Sequence, residues 1–215
     1  MERSKIAFVT GLAAEAKLLR GTGFMVSVGG GFPDGAYRAA EALVAQGALA
    51  LVSFGLAGGL ARDVTPGDVL VPNAVIEGPR AYKCDDGLMA FLGGSTGKPI
   101  LAGHKIAVTA SDKSKLFRRS KAVAIDLESG AVARVASGRG LPFAVLRAVA
   151  DAADRNLPPA AGVPLKAGGG VDLQAILRSV AANPGQIPGL LGLARDARRA
   201  QAALVVRLKG LADGV

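Results

Sequence analysis

Scarcity is the first thing this sequence offers. Its 215 residues include one cysteine, Cys84, and one histidine, His104. No disulfide can form within the chain, and a reducing compartment is expected. A zinc site, a Cys–His nucleophilic pair and a Ser–His–Asp triad would each rest on these two residues. Cys84 stands in the polar stretch Lys83-Cys84-Asp85-Asp86 and His104 just ahead of an apolar run, both ordinary places for loop residues, so metal and triad chemistry are set aside. Aromatic residues make up 4% of the chain and tryptophan is absent, which leaves little on which to stack single-stranded nucleic acid. Only 20% of residues are charged while half are apolar, a balance that argues against disorder. The charge that is present is one-sided, at a net +9. That favours anionic partners such as phosphate, nucleotides, nucleic acid or an acidic membrane surface, although a plain basic surface fits as well.

The chain also lacks a clean long apolar segment. Arg3 and Lys5 precede the apolar run Ile6 to Ala14, and Ala14-Glu15-Ala16 has the form of a cleavage site. The run is short and broken by Thr10-Gly11, and it reads as a buried first strand. Residues 42–61 are uncharged over a bilayer-spanning length but contain Gln46, Gly47, Ser53, Gly55, Gly58 and Gly59. They read as a helix end, a buried strand and a glycine loop. A cytoplasmic protein is expected, at most peripheral to the inner membrane.

What the chain does have is thirty glycines, eleven prolines and an alternation of short apolar runs with helix-like stretches. That alternation is the pattern of a largely parallel sheet covered by helices, an α/β fold. Strands are expected at Lys5–Thr10, Phe24–Val28, Leu49–Phe54, Asp68–Pro72, Lys105–Thr109, Ala122–Asp126 and Phe143–Ala150. Helices are expected at Ala13–Arg20, Asp34–Gln46, Ser129–Ser137, Val171–Ala182 and from about Gly189 to Leu211, with Asp34 as the cap of the second. No repeat or long linker divides the chain, so residues 1–215 read as one domain. Leu157 to Gly189, rich in proline and carrying Gly168-Gly169-Gly170, reads as a lid, a mouth or a plain connection.

Two glycine segments follow strands. Gly29-Gly30-Gly31 leads through Phe32-Pro33-Asp34 into a helix, where backbone N–H groups and the helix N-terminus suit an anion or a sugar. Gly55-Leu56-Ala57-Gly58-Gly59 has neither dinucleotide-binding nor P-loop spacing. In both, the glycines also serve simply as turn residues. Carboxylates are scarce in the apolar strands, so those at strand ends stand out. Asp126 and Glu128 point the same way if their strand persists that far. Asp151 ends the run Phe143–Ala150, where apolar surroundings raise an acid's pKa and suit it to general-acid work. Helix capping accounts for these acids equally well.

Taken in order, these segments resemble the superfamily of purine nucleoside phosphorylases and methylthioadenosine/S-adenosylhomocysteine nucleosidases, over about Lys5 to Asp154. Gly11-Leu12-Ala13-Ala14-Glu15 is similar to the family's first strand–turn–helix, and Gly29-Gly30-Gly31-Phe32-Pro33 to its glycine loop. Ser53-Phe54-Gly55-Leu56-Ala57-Gly58-Gly59-Leu60 resembles T-G-S-A-G-G-L, followed by Pro66-Gly67-Asp68-Val69-Leu70-Val71. Ile125-Asp126-Leu127-Glu128 stands where the family has V-E-M-E, and Arg147 to Asp154 is similar to R-A-I-S-D-x-A-D. The resemblance implies a three-layer α/β/α fold with a mixed central sheet, of the phosphorylase/hydrolase-like kind. It implies an enzyme that breaks the N-glycosidic bond of a purine nucleoside, with no bound cofactor and as a homo-oligomer. Asp151 would share or donate a proton at purine N7. Glu128 would accept hydrogen bonds from the ribose hydroxyls, Leu127 would pack under the ribose, and Ser111-Asp112 would belong to the base-binding loop.

Three departures bear on the nucleophile and the base. Where the nucleosidases carry G-A-M-E-E-E, Ala16 fills the last position, which orients water, and Glu15 remains. Where hexameric phosphorylases carry R-x-G-S for phosphate, Ser53 and Leu56 stand. Ser114 replaces the aromatic that stacks on the base. Phosphorolysis to a ribose 1-phosphate is therefore favoured over hydrolysis, with phosphate as candidate co-substrate. Gly29 to Gly31 and nearby cations such as Lys17, Arg20 or Arg38 would supply donors. In the hydrolytic alternative, Glu15 is the first candidate to orient water. Within the superfamily, the Gly-Leu-Ala-Ala-Glu-Ala start looks most like hopanoid-associated phosphorylases, which implies adenine release from adenosylhopane and a lipid-linked substrate. A general methylthioadenosine or S-adenosylhomocysteine nucleosidase is the alternative. A non-catalytic basic module binding nucleic acid or membrane surface is the reading of a different class. It rests on Lys113 to Lys121, with five cations in nine residues, which also reads as a solvated helix face.

Overall fold

Buried strands set the frame. The computed structural model describes residues 2–162, 169–170 and 172–213. β1 (Ile6–Thr10) is buried at every position, and so is β9 (Phe143–Asp151), as strands covered on both faces must be. Between them lies β3 (Ala50–Gly59), parallel to both. β2 (Met25–Val28) extends the sheet beyond β1. On the other side the order continues through β8 (Ala124–Asp126), β7 (Ile100–Ala102), β5 (Ala74–Glu77) and β6 (Arg80–Lys83). β8 pairs antiparallel with the last two residues of β3, and β4 (Val69–Leu70) antiparallel with β9. The sheet is therefore mixed, with helices on both sides, as the resemblance implied.

Helices α1 (Ala13–Leu18), α2 (Pro33–Ala45), α3 (Asp86–Phe91), α4 (Ala110–Ser120), α5 (Ser129–Arg139), α6 (Leu173–Ala182) and α7 (Ile187–Asp213) complete the described elements. α2 and α5 pack together against the sheet, and α7 packs on β9 and β3. Pro33 occupies the first turn of α2, where its fixed φ suits a helix start. Asp34 is not the cap expected of it, because Phe32 takes that position and Asp34 lies inside the first turn.

Several expectations change. Lys105–Thr109 is no strand. The strand lies earlier, at β7, and His104 to Val108 form an irregular loop. The apolar Ile106 and Val108 suggested a strand, but they face a pocket rather than a pairing partner. The glycine loop expected at Gly55–Gly59 is a continuation of β3, which shifts register between Ala57 and Gly58. The β5–β6 hairpin and α3 were not anticipated, and α4 takes up the basic stretch read as a solvated helix face, except that Lys113 is buried. Cys84 is a loop residue, as read, but a buried one, and burial pushes its thiol up to about 12. In the Leu157–Gly189 stretch, the structure forms short 3₁₀ turns and α6; Pro164, Gly168 and Val171 lie outside the described residues.

Candidate active site

Among the described residues, six side chains of Asp, Glu, Lys or Arg are fully buried: Glu15, Lys113, Asp126, Glu128, Arg147 and Asp151. All six meet at one place. Burying charge is costly unless the charges serve one another or a ligand, so such convergence marks a functional site. Five of them line a pocket of about 600 Å³, and Lys113 lies just behind the fifth. Leu12, Phe32, Leu56, Ile125 and Leu127 contribute apolar wall, and the mouth is formed by His104 to Val108 with Leu157, Ala161 and Gly162.

Each acid is delivered by a strand end or a helix start. Glu15 is the third residue of α1, so its carboxylate turns back over the start of that helix. Its Oε2 accepts from the N–H groups of Gly11 (3.0 Å) and Leu12 (2.9 Å), and its Oε1 from that of Leu56 (2.8 Å). Burial raises its pKa, and Arg147 and the three N–H groups oppose the rise. Glu128 follows β8 and stands at the N-cap of α5 without capping it. Its Oε2 accepts from Arg147 Nη2 at 2.9 Å. Burial pushes Glu128 up to about 7, with Arg147 opposing and Asp126 and Glu15 adding to the rise.

Capping belongs to Asp126 instead. Its Oδ1 accepts from the Ser129 N–H at 3.0 Å, and its Oδ2 takes the Ser129 hydroxyl and an ion pair with Arg147 Nε at 2.8 Å. Asp126 lines the pocket, but its oxygens are committed to holding Arg147 and α5. Arg147 is the hub, donating also to Ser53 Oγ at 2.8 Å and to the Leu56 carbonyl at 3.2 Å. One guanidinium thus balances three carboxylates. Two cations against four acids leave the buried cluster short of positive charge.

Asp151 ends β9, and its carboxylate is ion-paired to Lys113, which reaches it from the first turn of α4. Burial raises the Asp151 pKa and Lys113 works against the rise.

Of the residues singled out in the sequence, Glu15, Asp126, Leu127, Glu128, Asp151 and Gly31 line the pocket. Gly29 and Gly30 do not, and the Gly29 N–H is bonded to the Thr10 carbonyl at 2.7 Å. Gly55 lies beneath Glu15, where a side chain would overlap the carboxylate. Ser111 and Asp112 are exposed and off the pocket, because Asp112 closes the helix start with Thr109, its N–H donating to Thr109 Oγ1 at 3.0 Å. Lys17, Arg20 and Arg38 are likewise exposed and off it. Sequence reasoning missed Lys113, Arg147, Ser53 and the pocket-lining loop at His104.

The architecture recurs in solved structures. It matches the Helicobacter pylori 5′-methylthioadenosine/S-adenosyl homocysteine nucleosidase with a TM-score of 0.73 and 15% identity, covering 100% of both chains. The corresponding Neisseria meningitidis nucleosidase, solved with methylthio-immucillin-A, gives 0.72 at 15% identity over 98% of this chain and 99% of that one. Futalosine hydrolase of Helicobacter pylori gives 0.66 at 16% identity over 98% and 97%. No curated protein matches the chain significantly by sequence. The model of the phosphorylase superfamily, however, matches residues 5–108 and 96–161, the greater part of the chain and every strand of the sheet. The chain therefore belongs to the phosphorylase superfamily, as an enzyme of the nucleoside phosphorylase and nucleosidase type.

Proposed function

We propose that this enzyme cleaves the N-glycosidic bond of a purine nucleoside, with Asp151 protonating the departing base and Glu128 holding the ribose. Bond cleavage leaves an electron-poor ribose and an electron-rich purine. Interactions that strengthen as those charges develop lower the barrier. Asp151 at one side of the pocket and Glu128 with Glu15 at the floor supply both halves of that requirement.

The observation that favours water over phosphate is Glu15. Phosphate remains the candidate co-substrate suggested by the loss of an acid at Ala16. Glu15 nevertheless occupies the floor itself, fixed by three backbone N–H groups, with a raised pKa suited to taking a proton from water. A phosphate dianion brought to the same floor would face the acids Glu15, Asp126 and Glu128, whose shared cation, Arg147, is already engaged. Water meets no such repulsion. Hydrolysis is the reading the geometry supports best.

Purine release should run at full rate in phosphate-free buffer and yield the free sugar, identified by mass. Glu15→Gln should lower that rate about 10²- to 10⁴-fold. Phosphate dependence with a sugar 1-phosphate product would overturn the water reading and move attention to Gly31 and the exposed Lys105 at the mouth.

The apolar wall and mouth suit a nucleoside whose non-purine half is itself apolar. Adenosylhopane, the substrate implied by the likeness to hopanoid-associated phosphorylases, fits that description, as does methylthioadenosine. A panel of both with adenosine separates them. A cytoplasmic homo-oligomer, touching the inner membrane only peripherally, is consistent with this reading.

A further inference from the structure

Lys113 touches the proposed acid, yet the reaction as described gives it no task. It is completely buried, whereas Lys115, Arg118, Arg119 and Lys121 of the same stretch are exposed. Its Nζ reaches three acceptors: the Asp151 carboxylate, the Ala152 carbonyl at 2.8 Å and the Arg155 carbonyl at 3.1 Å. An ammonium has three N–H donors and a neutral amine two, so the surroundings are built for the charged form. The turn after β9 wraps this one group and holds it against the acid.

We infer that Lys113 and Asp151 act as one unit, in which the proton taken by the departing purine is supplied by the Lys113 ammonium through the Asp151 carboxyl. The inference rests on the proposed role of Asp151. As the C1′–N9 bond breaks, its electron pair passes into the purine ring. A Lys113 Nζ–H bond breaks and the proton passes to Asp151, which gives a proton to N7, so an N7–H bond forms and Asp151 ends as a carboxylate. Water adds hydroxide to C1′ and its proton passes through Glu15 to solvent, from which the Lys113 amine recovers its own. Lys113 is a positioning residue, touching Asp151 and not the substrate.

The other charges facing the pair are few. Arg155, in the turn after β9, is paired with Asp196 of α7. β3 presents Gly58 to Asp151, which carries no charge. On α4 itself, Asp112 and Lys115 flank Lys113 but are exposed, 3.6 Å from each other. The pocket loop adds exposed His104 and Lys105 at the mouth. Among the described residues, only Lys113 is both buried and in contact with the acid.

A shared proton is lost from such a unit only when both groups are empty, so the wild-type rate should persist well into the alkaline range. In Lys113→Met the proton must reside on a lone buried carboxyl, which empties earlier. The basic limb of the kcat–pH profile should move down by about two units, with activity at pH 6 within about tenfold of wild type and a far larger deficit at pH 9. Lys113→Met in the Asp151→Asn background should cost nothing further. Independently of any substrate, isotope-edited infrared spectra should show Asp151 as carboxylate at pH 7 in the wild type and as carboxylic acid in Lys113→Met. An unchanged limb, or an Asp151 band that ignores the substitution, overturns the inference. Wild-type enzyme that releases no purine from any nucleoside instead overturns the proposed function, and the infrared result still decides the pairing. Circular dichroism controls for folding, and Lys113→Gln serves if the Met variant fails to fold.

Discussion

At the scale of single residues, the site depends on absent side chains as much as on present ones. A methyl group at Gly11 would overlap Glu128 Oε1, and one at Gly55 would overlap the Glu15 carboxylate. Gly55 also has φ +146°, outside the range L residues favour. Gly11 and Gly55 thus each make room for an acid of the site. Gly11→Ala should therefore displace Glu128 while leaving the core intact. We expect kcat to fall about 10²-fold, since a shift of an ångström in a catalytic group costs that much. Gly138→Ala, at the exposed C-terminal end of α5 with no atom within 4 Å of the new methyl, is the control. It should raise stability by up to about 1 kcal/mol with unchanged activity. Equal activity of the two variants would show that Glu128 needs no such clearance. The acids were legible in the sequence because a carboxylate in an apolar run is conspicuous. Lys113 was not, because four like charges surround it. A signal existed: residues 113, 116 and 117 share one helical face, and Leu116 and Phe117 turn inward. Reading the preceding residues as a strand obscured it.

At the scale of elements, the site is where β3, β8 and β9 end together. β3 was expected to stop at Phe54 because Gly55, Gly58 and Gly59 carry turn signals. It runs on because those glycines accept close neighbours, Gly58 bringing Asp151 Oδ1 to within 3.3 Å of where a Cβ would stand. Pattern alone cannot separate a turn glycine from one that admits a side chain from another element. The central strands and main helices were legible from their apolar period, whereas β5, β6 and α3 are short and weakly patterned, and tertiary contacts settle them. Arg147 exemplifies what periodicity hides, a cation in a strand otherwise apolar from Phe143 to Ala150. Arg147→Met would leave Glu15, Asp126 and Glu128 buried without their shared counter-ion. A loss of about 3–5 kcal/mol is expected near neutral pH. Protonation of the acids should restore part of it, so urea melts at pH 5 and pH 8 should show a larger deficit at pH 8. An equal deficit at both would mean that Arg147 acts by packing rather than by charge.

For the whole molecule, charge is divided unequally between surface and interior. The chain carries +9, yet the buried cluster holds four acids and two bases. The basic exterior accommodates an acidic interior whose ionisation opposes folding, and Glu128 makes that opposition measurable. Its pKa rises from 4.5 to about 7 on folding, because burial outweighs the help from Arg147. Between those two values the folded state binds more protons than the unfolded one, so stability falls as pH rises. The penalty is absent below about pH 4.5, grows through the window, and is complete above about pH 7. A shift of that size corresponds to about 3 kcal/mol. Glu128→Gln keeps an oxygen for Arg147 Nη2 but cannot ionise. Its unfolding free energy should match wild type near pH 4 and exceed it at pH 8, while purine release is impaired at both. Denaturation followed across pH 4–8 tests this, and a wild-type slope retained in the variant would assign the titration to another acid of the cluster. The gain at alkaline pH, set against lost turnover, would measure how much stability the protein gives up to keep an ionisable acid in the pocket.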